Sequence, residues 1–184
     1  PKDEGMGRRD VPMTAEVFID RSDFEEVPPP GFKRLTLGGE VRLRGAYVIK
    51  CESVERDTAG AITCLVCTVD KDTLGKKPEG RKVKGVIHWV SSAHGKEVTL
   101  RLYDRLFRVE NPESKEYENY QDNLNPDSLL TINRAVVEPA VLADGAPRQF
   151  QFEREGYFVL DQQTAETDTP VFNRTITLRD SWAK

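Results

Sequence analysis

Cysteine and histidine are scarce in this sequence. There are three cysteines, Cys51, Cys64 and Cys67, and two histidines, His88 and His94. An odd, low cysteine count fits a reducing compartment better than a disulfide scaffold. No apolar run approaches the ~20 residues that a helical bilayer span needs, and no secretory signal opens the chain. Positive charge is not in excess: 27 Lys and Arg stand against 31 Asp and Glu, a net charge of −4. That balance argues against a histone-like wrapper of nucleic acid. It leaves room for a local basic patch, whose screened field acts over roughly 10 Å. Helical periodicity is weak throughout. The opening run PKDEGMGRRD (1–10) is polar and reads as a linker, so the sequence is expected to be a piece of a longer polypeptide.

What is present is β patterning. Apolar and polar residues interleave over 41–56, a turn signal follows at DTAG, and AITCLVCTVD comes next, which predicts a long hairpin of roughly 46–56 with 61–69. Further strand candidates are 16–20, 82–90, 97–107, 129–138, 148–160 and 171–180. They are short, rich in β-branched or aromatic residues and bounded by turn residues, the pattern of a sandwich or barrel. Short turns are expected around Arg21–Phe24 and Asp70–Leu74. The acidic stretch 109–127 has no apolar period and reads as a long exposed connection. It divides the strands into two groups.

One stretch concentrates cations. GFKRLTLGGEVRLRG (31–45) carries Lys33, Arg34, Arg42 and Arg44 against the single acid Glu40. Alternate residues of a strand share a face, which groups Leu35 with Leu37 and Val41 with Leu43. If both sets enter one core, a loop of Gly38, Gly39 and Glu40 pairs Leu37 with Val41 and Leu35 with Leu43. Arg34 then faces Arg44, and Thr36 faces Arg42, on the outward side. Like charges in that relation cost ~0.2–1 kcal/mol, and no local acid neutralises them in this register. An anionic partner would make the arrangement useful, because the planar guanidinium fork suits phosphates and guanine edges. The alternative is a solvated face whose arginines meet acidic loops elsewhere, such as 110–127.

Other motifs are weaker. Cys64-Leu-Val-Cys67 matches CxxC, but an odd spacing in a strand separates the thiols to opposite faces and no second ligand pair follows, so core packing is expected. His88 sits in a strand pattern and His94 in a turn, without a neighbouring nucleophile system. The segment GKKPEGRK (75–82) lacks the Gly-Lys-Ser/Thr ending of a nucleotide loop. It remains a basic stretch with Lys76, Lys77, Arg81, Lys82 and Lys84, read as a solvated loop or a contact for an RNA backbone. In FQFEREGYF, Phe150, Phe152 and Arg154 share parity, which makes the two rings core. Gln151 then projects from the opposite face, and Arg154 emerges near the strand end before Gly156.

Five stretches together resemble a known family. KRLTLGGEVRLRGAYVIK (33–50), GRKVKGVIHWVSSAH (80–94), VTLRLYDRLF (98–107), FQFEREGYFVLD (150–161) and PVFNRTITLRD (170–180) are similar, in order, to the C-terminal anticodon-binding region of bacterial glutaminyl-tRNA synthetases. The likeness runs from Val11 to Lys184. It implies an all-β fold of two β-barrels, related to a ribosomal protein that binds 5S rRNA. Residues 11–90 would form a first barrel module that binds the anticodon and 91–170 a second. Residues 171–184 would form a C-terminal strand returning toward the enzyme body. By the same resemblance Arg42 serves the first anticodon base, Gln151 the middle uracil, and Arg34 with Lys33 and Arg154 the third base, guanine. Arg44 completes the family pattern of two arginines after the turn. Gly31 and Gly45 stand where relatives often carry larger polar side chains, a departure from the family pattern at those two positions. An arginine that the family uses upstream for the middle base is absent from this sequence.

The implied parent is a class I enzyme that ligates glutamine to tRNA(Gln) with ATP. ATP and Mg2+ would belong to its catalytic domain. No cofactor or metal is expected in this chain, which lacks the HIGH-like and KMSKS-like signatures of adenylate chemistry. The implied partners are the anticodon loop of tRNA(Gln) and the catalytic and helical domains of the same polypeptide, in a cytoplasmic monomer without membrane contact. Three rivals stand beside this reading: a glutamyl-tRNA synthetase of archaeal or eukaryotic type, a stand-alone rRNA-binding protein, and a protein-binding module built on the acidic 110–127 stretch.

Overall fold

A computed structural model of the protein describes residues 8–178. Most of the expected linker, and the end of the last strand candidate at 179–180 with the C-terminal segment beyond it, lie outside the described residues. Regular structure among the described residues is strand, interrupted by 3-10 turns of three or four residues. The chain divides into two compact units. One is Met13–Ala93; the other joins the residues before Met13 to those from His94 onward.

The unit Met13–Ala93 contains β1 (Val17–Phe18), β2 (Phe24–Glu25), β3 (Leu35–Thr36), β4 (Glu40–Leu43), β5 (Val48–Arg56), β6 (Ile62–Asp70), β7 (Val86–Ile87) and β8 (Val90–Ser91). The main sheet has the order β6-β5-β4-β7, while β2 pairs with β3 and β1 with β8. The expected long hairpin is present as β5 and β6. Its turn closes through Gly60 N–H to the Asp57 carbonyl at 3.0 Å. The Asp57 carboxylate accepts from the Ala59 and Ala61 amides, and Gly60 supplies φ +85°. The expected turns near 21–24 and 70–74 are 3-10 turns, Arg21–Asp23 and Lys71–Thr73.

The alternation in 31–45 sends Leu35, Val41 and Leu43 inward as expected, but Leu37, expected on the same core face as Leu35, is 49% exposed because β3 ends at Thr36 and the chain turns away, and the strand pairing also differs. Leu35, Val41 and Leu43 are buried, with Phe24, Ile49, Cys51 and Ile87 in the same core. Burying each large apolar side chain stabilises by about 1.5–3 kcal/mol. Yet β3 and β4 are not hairpin partners. β3 runs parallel to β2, β4 pairs antiparallel with β5 (Val41 opposite Ile49) and parallel with β7. Gly38 and Gly39 make a corner: Gly39 N–H donates to the Thr36 carbonyl at 2.9 Å, and Gly38 N–H to the Cys51 carbonyl at 2.8 Å. The tight turn of this region falls one segment later. Ala46 N–H donates to the Leu43 carbonyl at 2.9 Å, with Gly45 at φ +67°. Parity dictates which face a residue occupies; it does not dictate which strand lies beside it.

The second unit contains β9 (Lys96–Tyr103), β10 (Leu129–Val137), β11 (Gln149–Phe152), β12 (Gly156–Leu160) and β13 (Val171–Ile176) in the order β10-β9-β13-β12-β11. β13 is parallel to β9 and the other neighbours are antiparallel. Val98, Val137, Val141, Phe158 and Phe172 form its core, with Phe150 and Phe152 packed against them. The Phe152 and Phe158 rings stack at 4.7 Å, and Phe150 meets Phe172 edge-on at 5.9 Å. The connection 109–127 is largely exposed, pinned by a Phe107–Leu124 bridge and an edge contact of Phe107 with Tyr120 at 6.3 Å. Among the described residues the pairings of each sheet stay open: the protein is all-β, and no pairing closes either sheet into a barrel.

Gly85 is the tightest backbone approach in the unit Met13–Ala93. It has φ +95°, and a Cβ there would lie 1.7 Å from the Lys33 carbonyl oxygen. Gly60 has φ +85° with open space around it. Gly85→Ala is therefore expected to destabilise by about 2 kcal/mol or more, a fall in Tm of roughly 4–8 °C. Gly60→Ala should cost only about 1 kcal/mol. Thermal melts of the two variants check the difference, which equal losses would contradict.

Candidate nucleic-acid interface

Lys33, Arg34, Arg42 and Arg44 all belong to the unit Met13–Ala93, and β7 organises them. The Gly85 backbone abuts the Lys33 carbonyl. The Arg42 amide donates to the Gly85 carbonyl at 3.4 Å, and the Arg44 amide to the Ile87 carbonyl at 2.9 Å. The Trp89 indole N–H donates to the Arg44 carbonyl at 2.9 Å. One short segment, 85–89, thus fixes the backbone of both cationic stretches. The direct Arg34–Arg44 and Thr36–Arg42 oppositions of the expected hairpin do not exist.

The four cations have different surroundings. Lys33 is exposed. Arg34 Nε lies 3.3 Å from Oδ1 of Asp23, whose side chain is fully buried, and Arg34 Nη1 donates to the Ser22 carbonyl at 2.7 Å. The expectation that no local acid meets these arginines is corrected here: the 3-10 turn Arg21–Asp23 delivers one. Glu40, expected in a turn, begins β4 and binds Arg81 instead. Arg42 is half-buried, and its guanidinium donates to three backbone carbonyls. Nη1 reaches Ala46 at 2.9 Å and Thr73 at 2.8 Å, and Nη2 reaches Lys76. Arg44 is exposed at the β4–β5 turn. Gly31 and Gly45 both have positive φ with open space where a side chain would go, so larger residues there would meet backbone strain rather than a clash.

Gln151 and Arg154 form a separate group on the other unit. Gln151 lies on β11 opposite Tyr157 and is exposed, while the flanking Phe150 and Phe152 face the core as parity requires. Arg154 sits in the turn to β12 with φ +66°, a left-handed conformation that a branched or bulky residue adopts only under constraint. The turn closes through Glu155 N–H to the Phe152 carbonyl at 3.1 Å.

The basic stretch 75–84 is less free than its composition suggests. Arg81 grips both carboxylate oxygens of Glu40 through Nε, at 2.9 and 3.1 Å, and reaches Asp70 through Nη2 at 2.5 Å. The Arg81 guanidinium holds the Asp70 carboxyl below the usual carboxylate range. Lys76 and Lys77 remain exposed. Of the cysteines, Cys51 is buried and faces Cys67 across β5 and β6, while Cys64 is exposed. Burial pushes the Cys67 thiol up to about 12. No cluster of three metal-ligating side chains occurs among the described residues.

Sequence reasoning missed Asp23, Thr73 and Gly85. Asp23 carries a faint signal, an acid in a turn signature ten residues before a Lys-Arg pair. Thr73 and Gly85 carry none without the register that brings them against Arg42 and Lys33.

Two family models match the chain, at residues 1–70 and 86–161, and both are described as the anticodon-binding domain of class I tRNA synthetases for Glu and Gln. Among curated proteins, the glutamine–tRNA ligase of Ectopseudomonas mendocina is 58% identical over 186 aligned positions, covering 100% of this chain and 33% of that protein. Those of Neisseria meningitidis and Salmonella newport are each 55% identical, covering 99% and 100% of the chain. The chain spans about a third of the length of these relatives. With those matches extending across most of both units, the chain belongs to the anticodon-binding domains of the class I tRNA synthetases for Glu and Gln.

Proposed function

We propose that this chain reads the anticodon of tRNA(Gln) for a ligase whose catalytic portion, with its ATP and Mg2+, lies outside it. The observation that carries the reading is the match of both anticodon-binding family models together with a cluster of cations in an acidic chain. RNA sequence is read most readily where bases leave the stack and expose their pairing edges. Lys33, Arg34, Arg42 and Arg44 on one unit, and Gln151 and Arg154 on the other, are the proposed contacts. The carboxamide of Gln151 offers one donor and one acceptor edge, which complements O4 and N3–H of a middle uracil. Arginine forks suit O6 and N7 of guanine. Three of the five N–H groups of Arg42 are taken by carbonyls, which leaves Nε–H and one Nη2–H for a base. The C-terminal segment would lead back toward the catalytic and helical domains of a cytoplasmic monomer.

Identity checking then follows from differential affinity. Each good bidentate contact discriminates by about 1–3 kcal/mol, and a mismatched base leaves a desolvated donor without its partner. In anticodon stem-loops with each base changed in turn, Gln151→Ala should lose roughly 5–100-fold of discrimination at the middle position and keep it elsewhere. An equal loss for every anticodon would remove its reading role.

Charge makes a separate prediction. With about four phosphate contacts, log Kd against log salt should have a slope of magnitude near 3, from about 0.7 per contact to single strands. Lys33→Ala should lower that slope by about 0.7 and change stability by no more than about 0.5 kcal/mol. Arg34→Ala should behave oppositely, changing the slope little but destabilising by about 1–3 kcal/mol, because the fully buried Asp23 carboxylate loses this cation. Binding titrations at several salt concentrations, with melts on the same variants, separate the two. A flat salt response of the unaltered chain would contradict the electrostatic part.

A further inference from the structure

Thr73 is 1% exposed, and its hydroxyl is used twice. It donates to the Asp70 carbonyl at 2.6 Å and accepts from the Val48 amide at 2.8 Å. The Thr73 carbonyl accepts from Arg42 Nη1 at 2.8 Å and from the Lys76 amide at 3.2 Å. That second bond closes the turn that presents the Lys76 carbonyl to Arg42 Nη2. One buried hydroxyl therefore ties the loop after β6 to β5, and that loop supplies two of the three carbonyls around the Arg42 guanidinium. The rim of the loop is held as well. Asp70 caps it through Oδ1 to the Asp72 amide at 3.2 Å, and Arg81 links Asp70 to Glu40 on β4.

A free arginine side chain loses up to ~2 kcal/mol of rotamer entropy when it is fixed. Here the fixing is done within the protein, before any ligand arrives, so binding is relieved of that cost. Carbonyls on one side of the guanidinium also select which N–H groups stay available, and so its orientation.

We propose that Thr73 is a positioning residue for base reading: it holds the loop Lys71–Lys76 so that the Arg42 guanidinium is oriented before a nucleotide arrives. This rests on the reading of Arg42 as a base-contacting group. It extends the recognition surface to a residue that touches no base.

The test uses the 184-residue chain, with Thr73→Val, which keeps the shape and removes the hydroxyl, and Thr73→Ser, which keeps the hydroxyl. In NMR spectra at low temperature the two Arg42 Nη nitrogens should give separate signals in the unaltered chain and in Thr73→Ser. In Thr73→Val they should merge as rotation about Cζ–Nε is freed. Signals that stay separate in Thr73→Val overturn the proposal. In binding to anticodon stem-loops, Thr73→Val should lose roughly 5–10-fold of discrimination at the one position that Arg42→Ala affects. The double variant should lose no more than Arg42→Ala alone. Additive losses, or a uniform loss at all three bases, overturn it. Should Thr73→Val fail to fold, Arg81→Gln releases the same loop from its exposed rim and must shift the Arg42 signals in the same direction. Merged signals with discrimination intact overturn the role of Thr73 while the anticodon reading stands. If the unaltered chain binds none of these RNAs, the anticodon reading itself falls, and this proposal with it.

Discussion

The alternation along β4 is the constraint on which the proposed recognition surface depends. Val41 and Leu43 are buried in the core of their unit, and the pleat then forces Arg42 to the opposite face. That face is not open solvent: Val48, directly across from Arg42, is also fully buried, and its amide donates to the Thr73 hydroxyl of the loop after β6. The Arg42 guanidinium therefore meets the carbonyl oxygens of Ala46, Thr73 and Lys76. A shift of one residue in β4 would send the two apolar side chains outward and the arginine inward. The same contacts that make the core thus aim the cation.

Much of this was legible in the residues. The period of two correctly marked Leu35, Val41 and Leu43 as core, Phe150 and Phe152 as core, and Gln151 as outward, but it also marked Leu37, which is exposed. The Asp-Thr-Ala-Gly signal located the long hairpin. Partnership between strands was not legible. β3 and β4 each satisfy their apolar face equally well against each other or against β2, β5 and β7, and only the whole set of contacts decides. The Gly-Gly pair is a corner rather than a hairpin tip because β3 and β4 diverge to different neighbours. Once the pairing changed, so did the electrostatics. The apparent clash of Arg34 with Arg44 vanished, and a buried acid from an earlier turn took its place.

The two arginines best described by the structure illustrate two ways to hold a cation. Asp23 holds Arg34 with a carboxylate, and the pair is close to neutral as seen from a distance. Carbonyls hold Arg42, and they contribute dipoles but no net charge. Arg42 thus keeps its full positive charge while losing its freedom. For the base-reading role proposed for Arg42, both properties would matter: the charge acts at long range, and the fixed orientation acts at contact.

This distinction also bears on why an acidic chain suits the task. A protein with abundant unpaired lysine and arginine would bind any RNA, because phosphate contacts carry no sequence information. Here Arg34, Arg56, Arg81 and Arg101 each face a carboxylate, which withdraws them from the long-range field. Lys33 is exposed, and Arg42 is held by carbonyls rather than a carboxylate. Non-specific attraction is thereby kept low without removing the cations themselves. In the proposed reading, discrimination rests on a small number of oriented donors, where a wrong base leaves a desolvated N–H unmet.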